Sequence, residues 1–214
     1  MEVKCFFTNF ASNKNNFALK MKAKLSIIAT MICLLFLGCK SEKEQVRDKI
    51  EQMKSRPIEL CLDKMECRRN PLNKLDKKYT MVVYVDSTEC SSCALSKLRF
   101  WNPLIAEAKK KQLDIDYVFI LAPKKEDMED VNVELEITDL QSSIYVDTAF
   151  VFKMNNKDFP KENKYHSFLL NADGKVIFIG SPIANKKVMD IYKNIVNHYC
   201  PIKKGNSIFE TVEL

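Results

Sequence analysis

The chain has 214 residues, enough for one domain of ordinary size plus extra sequence, and at 46% hydrophobic and 29% charged it is neither fibrous nor a wholly disordered polyampholyte. Residues 1–38 hold Lys4, Lys14, Lys20, Lys22 and Lys24 against a single acid, Glu2, so the formal charge of +6 falls to +2 once they are set aside. That removes the electrostatic case for a nucleic-acid partner, and four glycines in the whole chain leave no glycine-rich loop for a nucleotide phosphate.

From Met21, Lys22 and Lys24 precede an uncharged apolar run, Leu25 to Leu37, followed by Gly38 and Cys39. The run is shorter than the roughly 20 residues of a bilayer-spanning helix and reads as an export signal. Its ending, Leu35-Phe36-Leu37-Gly38-Cys39, resembles the lipobox of bacterial lipoproteins, which implies cleavage before Cys39 and acylation of that cysteine. Acyl chains, at roughly 0.8 kcal/mol per buried methylene, hold a protein body at a membrane surface. The expected location is therefore exported and lipid-anchored on a bacterial membrane, facing the periplasm or the cell surface. Residues 1–20 lack the pattern and read as sequence upstream of a start at Met21. Export leaves Cys61, Cys67, Cys90, Cys93 and Cys200 in a compartment where disulfides persist. Five is odd, so at least one thiol stays free or pairs between molecules.

Residues 39–56 are highly charged with few large apolar side chains, and read as a tether with some helical tendency. Residues 57–78 form an N-terminal extension in which Ile58, Leu60 and Leu62 alternate, a possible edge strand, before a turn at Asn70-Pro71. The run "MVVYV" from Met81 predicts a buried strand, and Ser91 to Lys111 predicts a helix bent or broken at Asn102-Pro103. Trp101, Phe100 and Leu104 read as core packing of that helix. "IDYVFILA" predicts a second buried strand, the charged stretch from Pro123 a helix, and "SSIYVDTAFVFKMNN" a short strand or turn into a short helix. "SFLLNADGKVIFIG" is a hairpin signal, with Asp173-Gly174 supplying the positive φ of a tight reversal. Val188, Ile191, Tyr192, Ile195 and Val196 share one face of a last helix, which closes the domain at 79–200 ahead of a tail at 201–214.

The chemistry-bearing motif is Cys90-Ser91-Ser92-Cys93, at the junction of the first buried strand and the first helix. A thiol at a helix N-terminus meets unpaired N–H groups and the positive end of the macrodipole, which favour its thiolate; a second thiol three residues on lies one turn further on the same face. Cys90 is then the attacking thiol and Cys93 the resolving one. The pattern alone leaves an inert structural disulfide or a metal pair open beside redox activity. Cys61 and Cys67 read as a local disulfide or as unpaired thiols, without the two close pairs of a four-ligand zinc site, and Cys200 as inert.

On "VVYVDSTECSSC" and "FLLNADGKVIFIG", the stretch from about Tyr79 to Tyr199 resembles the thioredoxin fold, in particular exported, membrane-anchored proteins of the TlpA kind and Bacteroidetes lipoproteins with a "YVDS..C..C" core. The resemblance implies an α/β three-layer sandwich, its mixed sheet having parallel strands first and a C-terminal antiparallel hairpin. It implies a thiol–disulfide oxidoreductase without cofactor or metal, whose partners are exported protein thiols or a membrane electron donor. The oligomeric state is left unassigned. Glu89 stands where the resemblance implies an aromatic residue, and its charge opposes thiolate formation. Tyr84 takes the place of a buried acid, with Asp86 nearer the motif. Tyr165 takes the place of a cis-proline that helps seat substrate backbone, and His166 follows it. Other readings are a non-enzymatic membrane-tethered binding module with a structural disulfide, and a Cu(I) metallochaperone like the Sco proteins, with His166 approaching the thiolates. For His166 the plain alternative is a partly exposed side chain at a strand start.

Overall fold

A computed structural model describes residues 24, 41–69, 75–88 and 91–200, with the backbone alone for 91–94. The chain divides into two compact units, Met1–Arg47 and Asp48–Leu214. In the first, Ser41 and Glu44 form a reciprocal capping box at the start of helix α1 (Glu42–Ser55): Glu44 accepts from the Ser41 N–H at 2.9 Å and Ser41 Oγ accepts from the Glu44 N–H at 3.3 Å. In the second, the later residues of α1 are fastened to the domain: Met53 is buried, Ile50 packs beside it, and Lys49 pairs with Glu162.

The sheet is built on β2 (Tyr79–Val85) and β3 (Ile115–Leu121), parallel and in continuous register from Tyr79 opposite Ile115 to Val85 opposite Leu121. Both runs are rich in β-branched and aromatic residues without clean alternation, as expected of strands covered on both faces. The short β4 (Ser143–Val146) adds a third parallel strand beside β3. On the other side of β2 lies the antiparallel hairpin of β5 (Ser167–Leu170) and β6 (Val176–Ile179). A charged strand β1 (Glu66–Arg69) caps the β4 edge antiparallel, so the order is β1-β4-β3-β2-β5-β6. The edge strand of the extension thus falls at Glu66–Arg69, and of the alternating residues Ile58 and Leu60 instead pack as coil and Leu62 from a 3₁₀ turn, Leu62–Lys64, against the core.

Helices cover both faces. One layer holds α2 (Ser91–Leu98), α3 (Asn102–Lys110), α4 (Met128–Ile137) and α6 (Lys186–Tyr199) over Met81, Val83, Val85 and Phe119. The other holds α5 (Val151–Asn155) and Met53 of α1 over Val82, Tyr84, Val118 and Ile120. The expected break at Asn102-Pro103 is a 3₁₀ turn, Arg99–Trp101, with Pro103 in the first turn of α3 where its missing N–H is harmless. Asn102 pins the break by accepting from Gln141 N–H at 3.0 Å and donating to Asp139 O at 3.2 Å. Trp101 and Leu104 enter the core as expected, but Phe100 is 56% exposed, because the 3₁₀ turn rotates it away from the face of its neighbours. In α6 the buried stripe is Tyr192 and Val196 with Val188 and Ile195 beside them, whereas Ile191 is half exposed at the margin of the stripe.

At the hairpin turn the Asn171 carboxamide accepts from the N–H groups of Asp173 and Lys175 at 3.1 and 2.9 Å, and Gly174 adopts φ +73°. Gly174 also receives the extension: its carbonyl accepts from Ile58 N–H at 2.8 Å, and a Cβ on it would meet Ile58 O at 3.2 Å. A second fastening comes from buried Asn156, whose carboxamide pairs with both backbone groups of Glu59, at 3.0 and 2.8 Å, and donates to Phe152 O at 2.8 Å.

Candidate active site

β2 ends at Val85 and α2 begins at Ser91, so the junction between the first central strand and its helix is the segment 86–90. Cys93 lies in the first turn of α2. Cys90 and Glu89 lie outside the described residues, as does Cys39. No helix among the described residues is long and apolar enough to cross a membrane.

The floor behind the junction is polar and is built around one buried carboxylate. Asp86 is 2% exposed and accepts from the Ser87 hydroxyl at 3.2 Å, from the Thr88 N–H at 3.3 Å and from the ammonium of Lys153 on α5. Burial by itself raises the Asp86 pKa, but the Lys153 hydrogen bond and charge, with the Thr88 and Ser87 donors, outweigh it and hold the carboxyl below its ordinary value of 3.8. Lys153 is delivered by Asp147, 1% exposed at the end of β4, whose two carboxylate oxygens accept from Val151 and Phe152 N–H at 2.8 and 2.9 Å. That carboxylate secures the start of a helix too short to hold its first turn alone.

Tyr84 stacks on Phe152 with ring centroids 4.8 Å apart and meets Phe159 and His166 edge-on at 5.5 and 5.4 Å. Its hydroxyl is buried without a partner, and burial pushes its pKa well up. Where the resemblance implies a buried acid the chain has an aromatic that packs, and a buried carboxylate follows two residues on at Asp86.

His166 is not a partly exposed side chain at a strand start. It is 2% exposed, stacked on Phe159 at 5.1 Å, with Nε2 3.0 Å from Pro160 O. A carbonyl only accepts, so Nε2 carries the proton of the neutral ring and Nδ1 is left as a buried acceptor without a partner. Burial lowers the His166 pKa from 6.5, against opposing pulls from Pro160 O and Asp86. Tyr165 closes a 3₁₀ turn, Asn163–Tyr165, is 5% exposed and lies under the Lys164 ammonium at 5.1 Å. None of the peptide bonds among the described residues is cis. The backbone donors at this seat are engaged internally, Tyr165 N–H to Glu162 O and His166 N–H to Asn163 O, both at 3.0 Å.

The remaining described thiols are free: Cys61 and Cys67 are not joined to each other, and Cys200 is half-buried with its pKa pushed up to about 11 by burial. Cys67 is exposed on β1, and burial raises the Cys61 pKa. Among the described residues no group of three or more His, Cys, Asp or Glu is placed to hold a metal. Sequence reasoning noticed Asp86 and missed Lys153 and Asp147; a lysine 67 positions along carries no local signal that it will reach this carboxylate.

A β-α-β unit followed by β-β-α, with the hairpin added antiparallel beside the first strand, defines a thioredoxin-like fold, a three-layer α/β sandwich with a mixed sheet. The chain is similar at low identity to several solved structures. A thioredoxin-like protein from Bacteroides caccae is 14% identical over 75% of this chain and 57% of its own, at TM-score 0.44. The thioredoxin domain of a thiol-disulfide oxidoreductase from Bacteroides vulgatus is 16% identical over 59% and 84%, at TM-score 0.39. The bacterioferritin comigratory protein of Xanthomonas campestris is 12% identical over 68% and 93%, at TM-score 0.40. Likenesses of this size leave the fold resting on the chain's own strand order and connections. No family model and no curated protein sequence matches the chain.

Proposed function

We propose that this protein is an exported, lipid-anchored thiol–disulfide oxidoreductase, held to a bacterial membrane through Cys39 and acting on exported protein thiols, or with a membrane electron donor, through Cys90 and Cys93. The observation that carries the reading is the position of the Cys-x-x-Cys motif: its second cysteine lies in the first turn of α2, directly after the central strand of a thioredoxin-like sheet. The N-terminal dipole of a helix contributes about 0.3–1 kcal/mol to a nearby anion, up to roughly 0.7 of a pKa unit for a thiolate.

In the reducing direction the Cys90 thiolate attacks one sulfur of a substrate disulfide, forming a mixed disulfide as the other sulfur leaves as thiolate. Cys93, deprotonated, attacks Cys90 Sγ and releases the second substrate thiolate. The substrate gains two electrons and, from solvent, two protons, and the Cys90–Cys93 pair is left oxidised; the oxidising direction is the reverse. Glutathione-buffer titration of the full chain, with and without Cys93→Ser, measures the couple. A reversible dithiol couple between about −300 and −100 mV, absent from the variant, is expected, and no couple in that range overturns the reading.

A second reading is a membrane-tethered binding module that keeps the fold without the chemistry. Favouring it, the N–H groups of Tyr165 and His166 are already bonded within their own turn and are not free to pair with a substrate backbone. Under that reading full reduction leaves partner capture unchanged and the chain reduces no insulin disulfide. Burial of His166, with Nε2 committed to Pro160, speaks against metal delivery through that ring.

A further inference from the structure

Three of the large apolar side chains exposed among the described residues, Phe100, Val133 and Ile137, lie on adjoining elements of one helical layer. α2 packs against α4, and Asn102 ties the 3₁₀ turn after α2 to the segment after α4 through Asp139 O and Gln141 N–H. Phe100 and Ile137 each stand two residues before that tie, 56% and 70% exposed. Val133 lies one turn before Ile137 on the same outward side of α4. Scattered singly such side chains are ordinary, but grouped they mark a contact surface.

The charges around them divide into two halves. Beside Phe100 are Lys97 and Arg99, both exposed, with the Arg99 guanidinium 5.3 Å from the centre of the Phe100 ring. Beside Val133 and Ile137 are Glu129 and Glu136, both exposed and at helical spacing from Val133. Glu129 suits the first turn of α4, but Glu136 sits in its last turn, where the helix dipole disfavours an acid. Although α2 and α4 pack together, none of these four charges forms an ion pair among the described residues.

One copy therefore offers a basic half bearing Phe100 and an acidic half bearing Val133 and Ile137. We propose that this surface is the isologous interface of a homodimer. A two-fold axis lays the basic half of each chain on the acidic half of the other, with Phe100 against Val133 and Ile137. Three apolar side chains per copy inside a charged rim make a small, transient interface, with a dissociation constant on the order of 10–100 µM. The contact is independent of the thiol chemistry and stands or falls without it.

The test is sedimentation velocity of the full chain over about 2 to 200 µM, with reductant present so that no disulfide links two copies. The wild type is expected to pass from monomer to dimer across that range, less readily as salt is raised. Lys97→Glu with Arg99→Glu makes both halves acidic, and Glu129→Lys with Glu136→Lys makes both basic; each pair of changes is expected to weaken self-association about tenfold or more. Mixing the two variants in equal amounts is expected to restore dimers, because each then meets the opposite charge at both contacts. Mixing could not rescue chains that had failed to fold. Ile137→Ser, at a position open to solvent, removes part of the apolar contact in both copies and is expected to weaken association about tenfold. A chain that stays monomeric at every concentration, an association that none of these changes weakens, or reversed variants that do not combine would each overturn the proposal.

Discussion

The two faces of the sheet are filled by different rules. Under α2, α3, α4 and α6 the core is almost wholly apolar, and the buried hydroxyls of Tyr117 and Tyr192 satisfy each other at 2.9 Å, with Asn132 Oδ1 on α4 a buried acceptor without a partner. Under α5 the core is aromatic and charged at once: Asp86, Asp147, Asn156 and His166 are all buried, and Tyr84 Oη and His166 Nδ1 lack partners. A buried polar group without a hydrogen bond costs about 1–3 kcal/mol, and a buried charge that loses its partner about 3–5. One face therefore serves stability, and the other accepts a cost around the end of β2, in the chain segment that precedes the cysteine motif.

The difference between the faces is tested most severely at Asp147. Replacing it by alanine removes two charge-assisted hydrogen bonds and unfastens α5, with an expected loss of about 3–4 kcal/mol in urea unfolding. An unchanged midpoint there would show that α5 holds itself. Asn156→Ala strands both backbone groups of Glu59 and is expected to lose about 2–3 kcal/mol by the same measurement. Gly174→Ala, strained at φ +73° and crowded by Ile58 O, should lose about 1–2 kcal/mol, and a stabilised variant would mean that the extension is not seated on the hairpin. On the apolar face Tyr192→Phe leaves only a neutral hydroxyl unpaired, for a loss near 1 kcal/mol; a loss as large as that of Asp147→Ala would erase the distinction between the faces.

The smallest effect is in pH. Because the His166 pKa is depressed in the folded state, the unfolded chain binds the proton first as pH falls below 6.5, and stability declines from there toward the folded value. Asp86, whose folded pKa is also depressed, contributes stability above its unfolded value near 3.8 that is lost as pH falls through the folded one. Denaturant midpoints at pH 7 and pH 5 isolate the histidine: His166→Gln should flatten the slope between them, and an undiminished slope would falsify the assignment.

Much of the architecture was legible because it is written in local patterns. The uninterrupted apolar runs of β2 and β3 marked a doubly covered parallel pair, and Asp173-Gly174 marked the hairpin by a φ requirement that few residues meet. The break at Pro103 was legible for the same reason, since a missing N–H acts wherever it stands. Phe100 and Ile191 were misread because periodicity gives a face and not its margins: a 3₁₀ turn of three residues turns one side chain out, and the edge of a stripe is decided by what packs against it. The edge strand lies in the charged Glu66–Arg69 rather than in the apolar alternation at 58–62, as suits an exposed sheet edge.

By itself the order of residues determined the α/β class and the position of the Cys-x-x-Cys motif between a strand and a helix, and it carries the expectation of an export signal before Cys39, since each depends on neighbours within a few positions. Tertiary structure alone decided that Asp86 meets Lys153, that Asp147 secures the helix that brings it, that Tyr84 packs where an acid was expected, and that His166 is buried and neutral. Those contacts join positions up to 82 residues apart, and their energies depend on the low-dielectric setting that only the assembled core creates.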